Sequence, residues 1–176
     1  MTLEAFADTI VPGEKRFPED RAVAGAAPGG GAVAAGAIEL LQTPATGVSD
    51  ALDNYAQALN GHAAGYAAEH GLTLDQQLPP FVALDFAQRT ELVRSLVGPG
   101  HPEKELWVLL ALFSNMAFDT AAHVHTTEAL EAGHPGLLGM GFTKPDADGL
   151  WRFPAFSYGR QLAELHPDTT PTGSPA

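Results

Sequence analysis

Apolar residues recur at intervals of three and four along most of this chain, and no run of strand length alternates apolar with polar. That pattern predicts an all-α fold of about five helices. The opening "TLEAFADTIVP" places Leu3, Phe6, Ala7 and Ile10 on one stripe, with Thr2 as its cap and Pro12 as its stop. An irregular connection, "GEKRFPEDRAVAGAAPGGG", leads into an apolar helix, "AVAAGAIELLQ". The third helix begins at an N-cap Ser49, carries Leu52, Tyr55, Leu59, Ala63 and Tyr66 at helical spacing, and ends where Gly71 supplies a C-terminal glycine. Gly61 and Gly65 inside it each cost about 1 kcal/mol against Ala, so they mark close packing or a short break. In "LDFAQRTELVRSLVG", Asp85 and Gln88 have capping-box spacing and Gly98 can end the helix. The longest helix is expected from near Pro102 to about Ala132, with Glu103 and Glu105 in the first turn, where the helix dipole favours acids.

Beyond Gly133 the pattern dissolves into glycine, proline and scattered aromatics. This segment is expected to wrap the helices, with a short helix near "YGRQLAEL". Residues 1–166 thus read as a single helical domain, and 167–176 as a flexible tail.

Composition narrows the function classes. The chain has 176 residues, enough for a real core, with 45% hydrophobic and 17% charged residues. A net charge of −12 and a pI near 4.8 argue against nucleic acid or an anionic membrane as partner. Without cysteine there is no disulfide framework, thiolate nucleophile or iron–sulfur cluster. The N-terminus has no basic-then-apolar signal pattern, and no apolar run nears the ~18 residues that span a bilayer, so a cytoplasmic location is expected. Lys15, Arg16 and Arg21 cluster in the first connection. The "PGGG" at Pro28–Gly31 reads as a flexible turn rather than a phosphate cradle, because no strand precedes it and no Gly-Lys-Ser/Thr follows.

Candidate chemistry concentrates in "SNMAFDTAAHVHTTEALEAGHPG". If one helix runs through it, Asn115, Asp119 and His123 stack on one face, while His125 lies on another face with Glu128. Asp119 and His123 are then the candidate catalytic pair, the carboxylate fixing the imidazole tautomer. With His62, His70 or Glu128 they would supply metal ligands, but no HExxH or ExxH signature accompanies them and no metal is assigned. Alternatively the stripe is held for architecture. Trp151, Arg152, Phe153, Phe156 and Tyr158 form a second candidate, a partner- or ligand-binding patch or a clamp on the core.

In order, "LEAFADTIVPGE", "APGGGAVAAGAIELL", "FVALDFAQRTELVRSL" and "HPGLLGMGF…LWRFPAF" resemble the small subunit (subunit 3) of gluconate 2-dehydrogenase-like enzymes, over residues 3–160. The resemblance implies a non-catalytic accessory subunit or maturation partner. Such a chain has no cofactor of its own and accompanies an FAD-dependent large subunit of the glucose–methanol–choline (GMC) oxidoreductase class. The twin-arginine export signal usual in that family is missing here, so the chain would remain cytoplasmic or travel with its partner. The competing reading is a small enzyme or binding protein for a hydrophobic metabolite. It would use Asp119 and His123, with or without a metal, in a closed cavity lined by residues such as Tyr55, Tyr66, Phe113 or Trp151.

Overall fold

The structure is a computed structural model that describes residues 1–144 and Asp168. Among the described residues it is all-α, with eight helices and no strand. They are α1 (Thr2–Ile10), α2 (Ala37–Gln42), α3 (Leu52–Glu69), α4 (Pro80–Ala83), α5 (Phe86–Leu96), α6 (Lys104–Thr120), α7 (Thr126–Glu131) and α8 (Pro135–Gly139). The first unit of the chain, Met1–Phe142, holds all eight. The expected boundary at 166, the aromatic patch from Trp151 to Tyr158 and the helix near "YGRQLAEL" lie outside the described residues.

α1 sits at the centre, packed against α5, α6 and α3. Phe6 is buried at 1% exposure, with its ring centroid 6.1 Å from that of Trp107, which is fully buried on α6. Burying a side chain such as Phe6 contributes about 2–3 kcal/mol. Leu41, Leu59, Phe81, Leu84, Leu96 and Leu110 complete the main core from α2, α3, α4, α5 and α6. The expected stripe is only part of what α1 buries, since Thr2, Ala5, Asp8 and Thr9 are buried as well. Thr2 is therefore inside the helix, and Met1 occupies the cap position without a side-chain bond.

The connection from Val11 to Gly36 covers α1 and is fixed by buried polar groups. Asp8, on α1, accepts from the backbone N–H of Gly13 (3.2 Å) and Ala24 (2.9 Å). Asp20, at 2% exposure, accepts from Ala22 N and Val23 N and is gripped by Arg16, which also reaches Glu4 at 2.6 Å. Arg89 comes from α5 at 3% exposure and donates to the carbonyls of Arg21, Ala22, Phe81, Val82 and Leu84 at 2.6–3.1 Å. The glycine run is no flexible turn. Glu14 N donates to Gly29 O (2.7 Å) and Ala32 N to Val11 O (2.9 Å), and a Cβ on Gly31 would strike the Val11 and Pro12 backbone. These glycines allow two backbone segments to touch.

The expected capping box at Asp85 and Gln88 is present in both directions, and Gly71 follows α3 at φ +65°. Ser49 does not cap α3; it opens a 3₁₀ turn, Ser49–Ala51, ahead of it. Gly61 and Gly65 are exposed, with no atom within 4 Å of a Cβ built on either, and α3 runs through them unbroken. Neither close packing nor a break explains them.

Two expected helices are shorter than the pattern implied. Gly36 (φ +86°) interrupts the "AVAAGAIELLQ" run, so α2 begins only at Ala37. The long helix stops at Thr120 because Ala121 adopts a left-handed conformation (φ +50°). Its end is capped from a distance. A helix leaves its last carbonyls unpaired, and Ala117 O is met by His134 Nε2 at 2.9 Å. Gly136, at the start of α8, lies so close that a Cβ there would overlap Phe118 O.

Candidate functional site

The helix end at Thr120 dismantles the expected column. Asn115 and Asp119 do share a face of α6, both exposed, but His123 lies beyond the helix in the turn before α7. Among the described residues no hydrogen bond or ion pair joins Asp119 to His123, so the catalytic dyad is not assembled. His125 is the N-cap of α7, its Nδ1 accepting from Thr127 N at 3.3 Å. That cap, rather than a pairing with Glu128, accounts for its position. Glu128 is exposed in the first turn of α7, where an acid suits the dipole.

His123 is half-buried against Gly36, and a Cβ at Gly36 would collide with its ring. Gly36 therefore serves both a positive φ and a ring contact. The Nδ1 of His123 is buried without a hydrogen-bond partner. Burial pushes the imidazole below its ordinary pKa of 6.5, against the opposing Glu39 carboxylate. The adjoining cleft holds about 340 Å³ and is lined by Ala34, Ala35, Glu39, Val124, Ala129 and Pro135 among others. Tyr55, Tyr66 and Phe113, which a closed metabolite cavity was expected to draw on, do not line it.

His134 shares that cleft but has no free valence. Its Nε2 lies 3.1 Å from Ala35 O and 2.9 Å from Ala117 O, and its Nδ1 is 3.2 Å from Leu137 N. Two carbonyls on Nε2 and an N–H on Nδ1 assign the neutral Nε2–H tautomer. The ring ties α2's approach, the end of α6 and the start of α8 together.

His62 and His70, the other expected ligands, are separately engaged. His62 Nε2 lies 2.7 Å from Glu103 Oε2, which also accepts from Trp107 Nε1 at 3.1 Å, with the His101 ring 5.5 Å away. The His62 bond, against a smaller opposing effect of burial, holds the Glu103 carboxyl below its ordinary range. His70 stacks on Tyr66 at 4.2 Å. Among the described residues no group of three His, Asp or Glu is placed to hold a metal ion.

The feature that sequence reading missed lies on the outer face of α6. Leu109, Leu112 and Met116 are exposed at 37%, 52% and 39%, although the same helix buries Trp107, Leu110 and Ala117 on its inner side. Beside them Ile10, Val93, Val97, Val108, Ala111 and Asn115 line a shallow, largely apolar groove of about 220 Å³. The signal was present as a second apolar stripe, because α6 is apolar around more of its circumference than one core contact uses.

One protein-family model matches the chain over residues 1–176. The chain belongs to DUF5987, a family of unknown function. Comparisons of this DUF5987 chain with curated proteins and with solved structures return no match. No helix among its described residues is long and apolar enough to cross a membrane.

Proposed function

We propose that this DUF5987 chain is a non-catalytic accessory subunit that docks on a partner protein through the outer face of α6. The observation that carries this reading is the exposed row Leu109, Leu112 and Met116 beside an apolar groove. Monomeric surfaces seldom leave several large apolar side chains contiguous without a use for them. The polar groups support the same reading, since His134, His125, Arg89 and Asp20 are all engaged in holding backbone. The resemblance to gluconate 2-dehydrogenase subunit 3 gives the partner a class: a GMC-type oxidoreductase that carries FAD, with this chain in the cytoplasm or travelling with it.

Co-expression with a flavoprotein of that class tests the reading. The two should elute together with flavin absorbance, and Leu112→Glu should separate them while leaving the fold intact. Independent elution of the unsubstituted pair would overturn the assigned partner.

One observation favours a second reading. The 340 Å³ cleft lined by His123 and Glu39 suits a small hydrophobic ligand held between them, without Asp119. Thermal-shift screening should then find ligands whose effect disappears in His123→Ala.

A further inference from the structure

Resting on that docking role for α6, the seam also dictates the kind of partner. Glu105, Leu109, Leu112, Met116 and Asp119 follow one another along α6 at steps of four, three, four and three residues. This mean spacing of 3.5 is that of a coiled-coil seam, which lays one helix along another. The three central members are the exposed apolar residues described above. The two end members are exposed acids, about 21 Å apart at 1.5 Å per residue. From Leu106 to Phe118 the helix carries no charged side chain, so these acids bracket an uncharged stretch.

Neither acid has a local occupation. Glu105 and Asp119 make no hydrogen bond or ion pair among the described residues. Asp119 moreover sits in the last turn of α6, where the helix dipole disfavours an acid. A second copy of the chain is a poor occupant. Parallel pairing would set Glu105 against Glu105 and Asp119 against Asp119, and antiparallel pairing would set Glu105 against Asp119 at both ends. Either arrangement opposes like charges on chains that each carry −12.

We propose that the seam takes a helix from a different protein, about four turns long, with apolar residues at 3.5-residue spacing and a Lys or Arg at each end. The groove lined by Ile10, Val93, Val97 and Val108 then receives side chains from that helix.

Two fluorescent helical peptides of that length test this, identical in a leucine seam, one with lysine and the other with glutamate at both ends. Against the intact chain, anisotropy should show the lysine-ended peptide binding about tenfold more tightly, in a manner weakened by salt. Leu112→Glu should abolish binding, and the double variant Glu105→Lys/Asp119→Lys should reverse the preference. All three positions are exposed, so circular dichroism melts should match the unsubstituted chain.

Equal binding of both peptides would overturn the charge rule while leaving apolar docking intact. Binding of neither to the intact chain would overturn the seam, and the flavoprotein co-elution would still decide the accessory role by itself. A concentration-dependent dimer of the unsubstituted chain that Leu112→Glu abolishes would give the seam to a second copy and overturn the proposal.

Discussion

Two irregular stretches of this chain are held in opposite ways. Residues 11–36 have almost no regular structure, yet Asp8, Asp20 and Arg89 each spend several hydrogen bonds on their backbone. Residues 121–125 form a shorter link, but His123 packs there with one ring nitrogen unpaired. Irregular backbone becomes rigid where buried polar side chains satisfy it, because each unmade bond in the interior costs about 1–3 kcal/mol. The link after α6 is held instead by shape, through Gly36 under the ring and Gly136 against Phe118. Bond-held and shape-held segments should respond differently to substitution.

The largest effect is expected at Arg89. Arg89→Met leaves five carbonyls without their donor and should destabilise the chain by about 4 kcal/mol, read from urea denaturation. A loss below about 1 kcal/mol would mean that the connection holds itself.

Asp20→Ala should cost about 2–3 kcal/mol by the same assay. Burial alone would raise this carboxyl, but the Arg16 guanidinium and the Val23 and Ala22 N–H groups bring it down to about 2. The unfolded chain takes up the proton first, so the contribution of Asp20 is complete above pH 3.8 and is lost as pH falls from there toward 2. The acid limb of a melting-temperature profile should flatten in the variant.

His123 should show the same sign nearer neutrality, with burial rather than a partner as the cause. Its folded-state pKa is depressed, so the unfolded chain binds the proton first and stability falls as pH drops through 6.5. His123→Phe keeps a ring over Gly36, removes the orphaned nitrogen, and should stabilise by roughly 1 kcal/mol at pH 7 while erasing that slope. A variant that loses stability at pH 7 would show that the nitrogen has a partner after all.

Smallest is the control within regular structure. Gly65→Ala on the exposed side of α3 meets no neighbour and should stabilise by roughly 0.5 kcal/mol in thermal melts. No change would indicate that the unfolded chain gains as much as the helix.

Legibility in the sequence followed the range of the interaction. The Asp85–Gln88 box, the glycine after α3 and the all-α class were readable because capping and periodicity act within four residues. The stop at Thr120 was not, because "TAAHVHTTEALEAG" contains no breaker before Gly133. The carbonyl that caps α6 is bonded by a histidine 17 residues away. Nor was the role of Arg89, whose acceptors at Arg21 and Ala22 lie 68 and 67 residues away. The candidate column failed for the same reason: Asn115, Asp119 and His123 have ideal spacing for a helix that tertiary contacts end too soon.

The sequence by itself determined the all-α class and the middles of α1, α3, α5 and α6, with the apolar surface each one offers, since these follow from neighbours within a turn or two. Only the tertiary structure decided where α6 ends, which glycines are pressed against backbone, and which of the two apolar stripes on α6 faces outward. Those outcomes depend on distant segments competing for the same carbonyls and the same volume, and a short-range pattern carries no record of that competition.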